Sequence, residues 1–176
     1  DCGDIFGGGN QRIADRFRAG IDHRPRPGLA AMRQQCPAAA EQEGPAAAIS
    51  YAVAVFGGVR MAELERLTWG HVKEDHIEIG RDIAKKHSRR LVPICPTLRC
   101  WINTYRGDAK SSDQIVPANW TDVCKSVRRR AGWAVVARLL ENPPEPTRGP
   151  WPGNACRHTC ASVQVAIGTT LEDLTF

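Results

Sequence analysis

The chain has 176 residues, 42% of them apolar and 24% charged, with a formal net charge of +5. That size suits one domain, or one domain plus a tail, and the composition is that of an ordinary soluble globular protein. No apolar run approaches the roughly 20 residues of a membrane span. The opening stretch DCGDIFGGGNQR lacks the basic-then-apolar order of a signal peptide.

Residues 1–27, rich in Gly, Arg, Asp and Pro, show little periodicity and read as a linker or the tail of a preceding domain. The chain does not start with Met and is read as a fragment. A short helix is predicted over about 28–42, interrupted by Pro37. The segment EGPAAAISYAVAVFGG follows. Pro45 fits a first helical position, Gly57 and Gly58 stop the helix, and an apolar surface all round predicts burial. RMAELERLTW reads as an amphipathic helix with Met61, Leu64 and Leu67 on one face and Glu63 and Arg66 turned elsewhere.

HIEIG alternates as a strand should, and DIAKKHSRRLVPI reads as two further short strands joined by the basic turn KKHSRR. Pro96 begins another helix, PTLRCWINTY. NWTDVCKSVRRRAGW is a helix with Trp120, Val123, Val127 and Ala131 as its apolar stripe and Gly132 at its end; residues 133–140 extend it or begin another. ENPPEPTRGPWPG, with five prolines and two glycines, is expected to be irregular. A last helix starts near Asn154. The expected fold class is mainly α with a small three-stranded antiparallel sheet.

The seven cysteines are odd in number and irregularly spaced, with no CxxC pair, which argues against a disulfide framework and for a reducing cytoplasm. Cys156 and Cys160, with His158 between them, admit a metal-site reading. No second ligand pair accompanies them, so small residues on a packed helix face are preferred and no metal is expected.

The positive balance favours a polyanionic partner. Arg60 follows a buried helix and a Gly-Gly turn, Lys85 to Arg90 cluster at a hairpin tip, and Arg157 heads the last helix. Arginine's planar fork pairs two phosphate oxygens at once. Brought together, such groups would clamp a phosphoryl group and stabilise the charge of its transition state. Taken singly, each is more simply a surface or capping residue.

The blocks GGVRMAELERLTW, KKHSRRLVPI and NACRHTCAS together resemble the tyrosine recombinase (phage integrase) family in order and approximate spacing, over about residues 45–176. The resemblance implies an integrase-like DNA breaking-rejoining catalytic domain over 44–176, C-terminally incomplete, after a linker or domain remnant over 1–43. It implies site-specific recombination or integration through a 3′-phosphotyrosine link, with no metal and no nucleotide cofactor, double-stranded DNA as partner, self-association of the full-length protein on DNA, and no membrane. Arg60 and Arg157 would grip the scissile phosphate, Glu63 would help fix the site, and Lys85 or its neighbour Lys86 would protonate the leaving 5′ oxygen. His158 would pack behind the site. Lys86, His87, Arg89 and Arg90 would touch DNA backbone, although His87 and Arg89 equally suit a solvated tip.

Two departures stand out. Asn154 occupies a position that is histidine in most relatives; its amide can donate to a phosphate but cannot shuttle a proton at neutral pH. The family nucleophile is a tyrosine well downstream of the second arginine, whereas the two tyrosines here, Tyr51 and Tyr105, both lie upstream. The expectation is a catalytic domain truncated before its nucleophile, which alone binds DNA without cleaving it. The alternatives are a non-catalytic DNA-binding remnant of a mobile element, and a basic helical protein in which Arg60, Lys85 and Arg157 point apart.

Overall fold

The computed structural model describes residues 27–84, 89–134 and 148–166. Among these are six α-helices: α1 (Pro27–Glu41), α2 (Pro45–Gly57), α3 (Met61–Leu64), α4 (Pro96–Tyr105), α5 (Trp120–Arg130) and α6 (Ala155–Ala166). Strands β1 (His76–Ile79) and β2 (Arg90–Pro93) form a two-stranded antiparallel sheet, and β3 (Trp133–Ala134) and β4 (Arg148–Pro150) form a short parallel pair. The molecule is thus mainly helical. No described helix is long and apolar enough to cross a membrane.

The core is built on α2. Its residues from Ala47 to Gly57 are all buried, as an apolar surface all round requires, and α1, α4 and α6 pack around it. Fully burying a side chain such as Ile49 contributes about 1.5–3 kcal/mol. Pro45 supplies the first turn, and Gly58 (φ 64°, ψ 21°) ends the helix in the left-handed conformation that glycine adopts without strain. At Gly57 a Cβ would meet Val92 Cγ1 at 3.3 Å and Leu98 Cδ2 at 3.5 Å. β2 and α4 therefore close directly on the end of α2, and the chain leaves the core at Val59 and Arg60.

Several elements differ from the sequence expectations, each for a physical reason. Helix α1 runs unbroken through Pro37, although proline removes one helical hydrogen bond. Cys36, Ala39 and Ala40 on either side of it are buried, in a helix packed against α2, α5 and α6. Part of the segment expected as a linker or remnant over 1–43 therefore belongs to the core.

The third helix expected, RMAELERLTW, lasts only from Met61 to Leu64. A turn follows, then a 3₁₀ turn at Trp69–His71. The sheet has two strands rather than three. Ile83 and Ala84 form a turn whose N–H groups both donate to the Gly80 carbonyl, at 3.2 and 2.9 Å. Both side chains are buried, at 2% and 3% exposed, which adjacent strand residues facing opposite sides could not match against a single core.

Gly132 (φ 80°) stops α5, so that residues 133–134 leave as a strand rather than a helical extension. Residues 148–150 of the proline-rich stretch pair with that strand. A pair this short has only edges, and edges tolerate proline.

Candidate functional site

The geometry of the site starts at the hairpin. β1 and β2 pair with Ile77 opposite Val92 and Ile79 opposite Arg90. Side chains alternate along a strand, and directly opposed residues share a face. Ile77, Ile79 and Val92 are buried, so Arg90 belongs to the inner face with them. Leu91 (48% exposed) and Arg89 turn outward, and Arg89 Nη2 meets Glu78 Oε1 at 2.7 Å there.

Inside, Arg90 meets Glu63. Arg90 Nη1 donates to Glu63 Oε1 at 3.0 Å and Nη2 donates to Oε2 at 2.5 Å. Glu63 is also bound by Arg60, the residue that caps α3. The backbone N–H of Arg60 donates to Oε2 at 3.1 Å and its Nη1 donates to Oε1 at 2.8 Å. The Glu63 side chain is 1% exposed. Burial alone pushes its carboxyl up, but the bonds from Arg90 and Arg60 outweigh that and bring it from the ordinary 4.5 down to about 2. The sequence reading turned Glu63 away from the apolar face; the structure buries it as the hub of two arginines.

Arg157 arrives from the far end of the chain, in the first turn of α6. The buried face of this helix is Ala155, Cys156, Thr159 and Cys160. Cys160 Sγ donates to the Phe56 carbonyl at 3.3 Å, tying α6 to α2. Trp151, just before the helix, packs edge-on against Trp133 with ring centroids 5.4 Å apart, and the Arg128 guanidinium lies 4.8 Å over the Trp151 ring.

So held, the Arg157 guanidinium is half-buried. Burial first, then the positive charges of Arg60 and Arg90 beside it, disfavour its protonated form, and Glu63 partly offsets them. Arg60 and Arg90 thus grip one carboxylate, and Arg157, from a distant segment, lies within electrostatic reach of all three. Cations in that excess, at the head of a helix whose first N–H groups carry partial positive charge, suit an anion.

The other candidates fall as follows. Asn154 is exposed and precedes α6 in the left-handed region (φ 54°), which Asn tolerates better than most residues; its carbonyl accepts the His158 N–H at 3.0 Å. His158, expected to pack behind the site, has an exposed side chain, because it lies off the buried face of α6. Cys156 and Cys160 face inward while His158 faces outward, and no group of three or more His, Cys, Asp or Glu among the described residues could hold a metal ion.

Lys85, Lys86 and His87 lie outside the described residues. Tyr51 is 0% exposed, its ring 5.5 Å from that of Trp120, and burial drives its hydroxyl pKa up. Tyr105 donates to Glu41 Oε1 at 2.5 Å; that bond and burial hold its hydroxyl up at about 12.

Sequence reasoning did not find Arg90 in the cluster or the stack of Arg128, Trp151 and Trp133. The signal for Arg90 is its spacing of two from Val92, which puts both on one face of the strand. No protein-family model, no curated protein and no solved structure matches this chain.

Proposed function

We propose that the cluster of Arg60, Glu63, Arg90 and Arg157 is the phosphate-gripping site of a tyrosine-recombinase-like catalytic domain with an integrase-like fold, acting on double-stranded DNA. The observation that carries this reading is that Arg157, 97 positions from Arg60 in the numbering, lies within electrostatic reach of Arg60, Arg90 and the buried Glu63 that Arg60 binds.

Arg60 and Arg157 pair non-bridging oxygens of a phosphodiester, and Glu63 holds Arg60 in place. In the full-length protein a tyrosine hydroxyl gives up its proton to solvent as its oxygen attacks phosphorus, and the bond from phosphorus to the 5′ oxygen breaks. The 5′ oxygen leaves with a proton from Lys85 or Lys86, and the phosphoryl group stays on the protein as a 3′-phosphotyrosine until the reverse attack releases it. Neither tyrosine of this chain serves that step: Tyr51 is buried and Tyr105 is bonded to Glu41 at the end of α4. The chain by itself binds duplex DNA without a covalent link. Self-association on DNA belongs to the full-length protein.

A second reading, a DNA-binding remnant without catalysis, draws on Asn154, whose exposed amide cannot carry a proton between groups at neutral pH.

The test is DNA binding against salt. The chain should bind duplex DNA with a log–log salt slope that falls by about one when Arg60 or Arg157 becomes alanine. Wild-type affinity in both variants would contradict the reading. A longer form of the protein carrying a tyrosine beyond Arg157 separates the two readings. Covalent adduct formation that Arg60→Ala abolishes, with binding only weakened, supports the enzyme; binding with no adduct supports the remnant.

A further inference from the structure

Two arginines hold Glu63, but they hold it unequally. Arg90 commits both terminal nitrogens to it, at 3.0 and 2.5 Å, and its side chain is 10% exposed. Arg60 commits one terminal nitrogen, at 2.8 Å, and its side chain is 27% exposed. Each carboxylate oxygen accepts one bond from each arginine residue, the fourth coming from the Arg60 backbone N–H at 3.1 Å. Four bonds fill a carboxylate's acceptor sites.

We propose that Arg90 is a positioning residue: forked onto Glu63 from the inner face of the hairpin, it saturates the carboxylate so that the outer edge of Arg60 stays turned toward the ligand, and it does not itself touch the ligand. This replaces the expected contact between Arg90 and DNA backbone. The identity of the ligand rests on the reading above; the role of Arg90 toward Arg60 does not.

The physical reason is competition. A buried carboxylate that loses one cation draws the remaining one onto both of its oxygens, because a bidentate fork is the strongest pairing open to it. Without Arg90, Arg60 would swing onto Glu63 in its place and withdraw from the phosphate. Arg90 therefore weakens the hold of Glu63 on Arg60, and the register that pairs Ile79 with Arg90 delivers it there.

The experiment uses the whole chain, a fluorescein-labelled duplex oligonucleotide and a double-mutant cycle. Arg60→Ala is expected to weaken binding about tenfold or more, the usual effect of losing a charge-assisted phosphate contact. Arg90→Met should weaken it comparably in the wild-type background and cause no further loss in Arg60→Ala. Additive losses would overturn the proposal, since an independent DNA contact or a general loss of structure acts equally in both backgrounds.

Should Arg90→Met not unfold cooperatively, Arg90→Lys takes its place in the cycle, since it keeps the charge and lacks the fork. A second arm needs no DNA: the Arg60 side-chain Nε–H resonance. It should shift and change its mobility in the Arg90 variant, and an unchanged resonance would overturn the proposal. If the wild-type chain binds no duplex, the DNA reading falls and this arm alone decides the role of Arg90.

Discussion

Glu63 and Glu43 are both carboxylates held by arginine, and they do different things. Glu43, in the turn between α1 and α2, accepts from Ser126 Oγ and from Arg130 Nε, both at 2.6 Å, and Arg130 also reaches Gln42 Oε1 at 3.0 Å. Those bonds lower its carboxyl pKa, and its side chain is 18% exposed against 47% for Arg130. The result is a tie between the α1–α2 turn and α5 at the surface, where water competes for every partner.

Glu63 is sealed from solvent, takes both of its arginines in a low dielectric, and has Arg157 within electrostatic reach as a third cation. The same pairing chemistry makes a fastening when it is exposed and balanced. Buried, with cations in excess, it has the charge balance that the proposed anion site requires.

The comparison can be broken by removing each carboxylate. Glu63→Ala should destabilise the fold by about 3–5 kcal/mol in urea unfolding, because it strands the buried Arg90 charge. A loss near that of a surface pair would show that Arg90 finds water instead.

Next in size is the effect on binding. Arg157→Ala should weaken duplex DNA binding by about 1.5–3 kcal/mol, whereas Arg130→Ala should leave it within a few tenths. Equal losses would mean that the basic surface as a whole, rather than the Glu63 cluster, holds the DNA.

Acid sharpens the contrast further. The folded pKa of Glu63 lies near 2, below its ordinary 4.5, so its contribution to stability is complete above about 4.5 and is lost as pH falls through about 2. Glu63→Gln should flatten the fall of stability in that window. An unchanged pH profile would show that Glu63 is not held as described. The smallest effect belongs to Glu43→Ala, about 1 kcal/mol or less, as expected for a partly exposed pair. A loss matching that of Glu63→Ala would erase the distinction between the two regions.

Legibility in the sequence followed the range of the interactions. The helix over Pro45–Gly57, its Gly58 stop, α4 and the stripe of α5 rest on local signals, namely proline, glycine and a repeat of 3.6, and the structure has them. The amphipathic pattern of a helix turns Glu63 off the apolar face, because it assigns charges to the other side. The partner that turns it inward, Arg90, lies 27 positions along the chain. The third strand failed because Ile83 and Ala84 both enter the core from a turn, which a pattern of period two cannot distinguish from a strand end. The pair at 148–150 escaped because proline content signals loops and says nothing about edges. Arg60 and Arg157 stand out in the sequence as basic groups that could clamp a phosphoryl group, and the family resemblance singles them out again. That they lie within electrostatic reach of each other is something only the packing of α6 on α2 supplies.

The most direct measurement is a titration of the isotopically labelled chain with duplex DNA, followed through the arginine side-chain Nε–H resonances. The account predicts that Arg60 and Arg157 shift first and furthest, while Arg130 stays in place. Shifts centred on Arg128 to Arg130, or no saturable shift at Arg60 and Arg157, would contradict it.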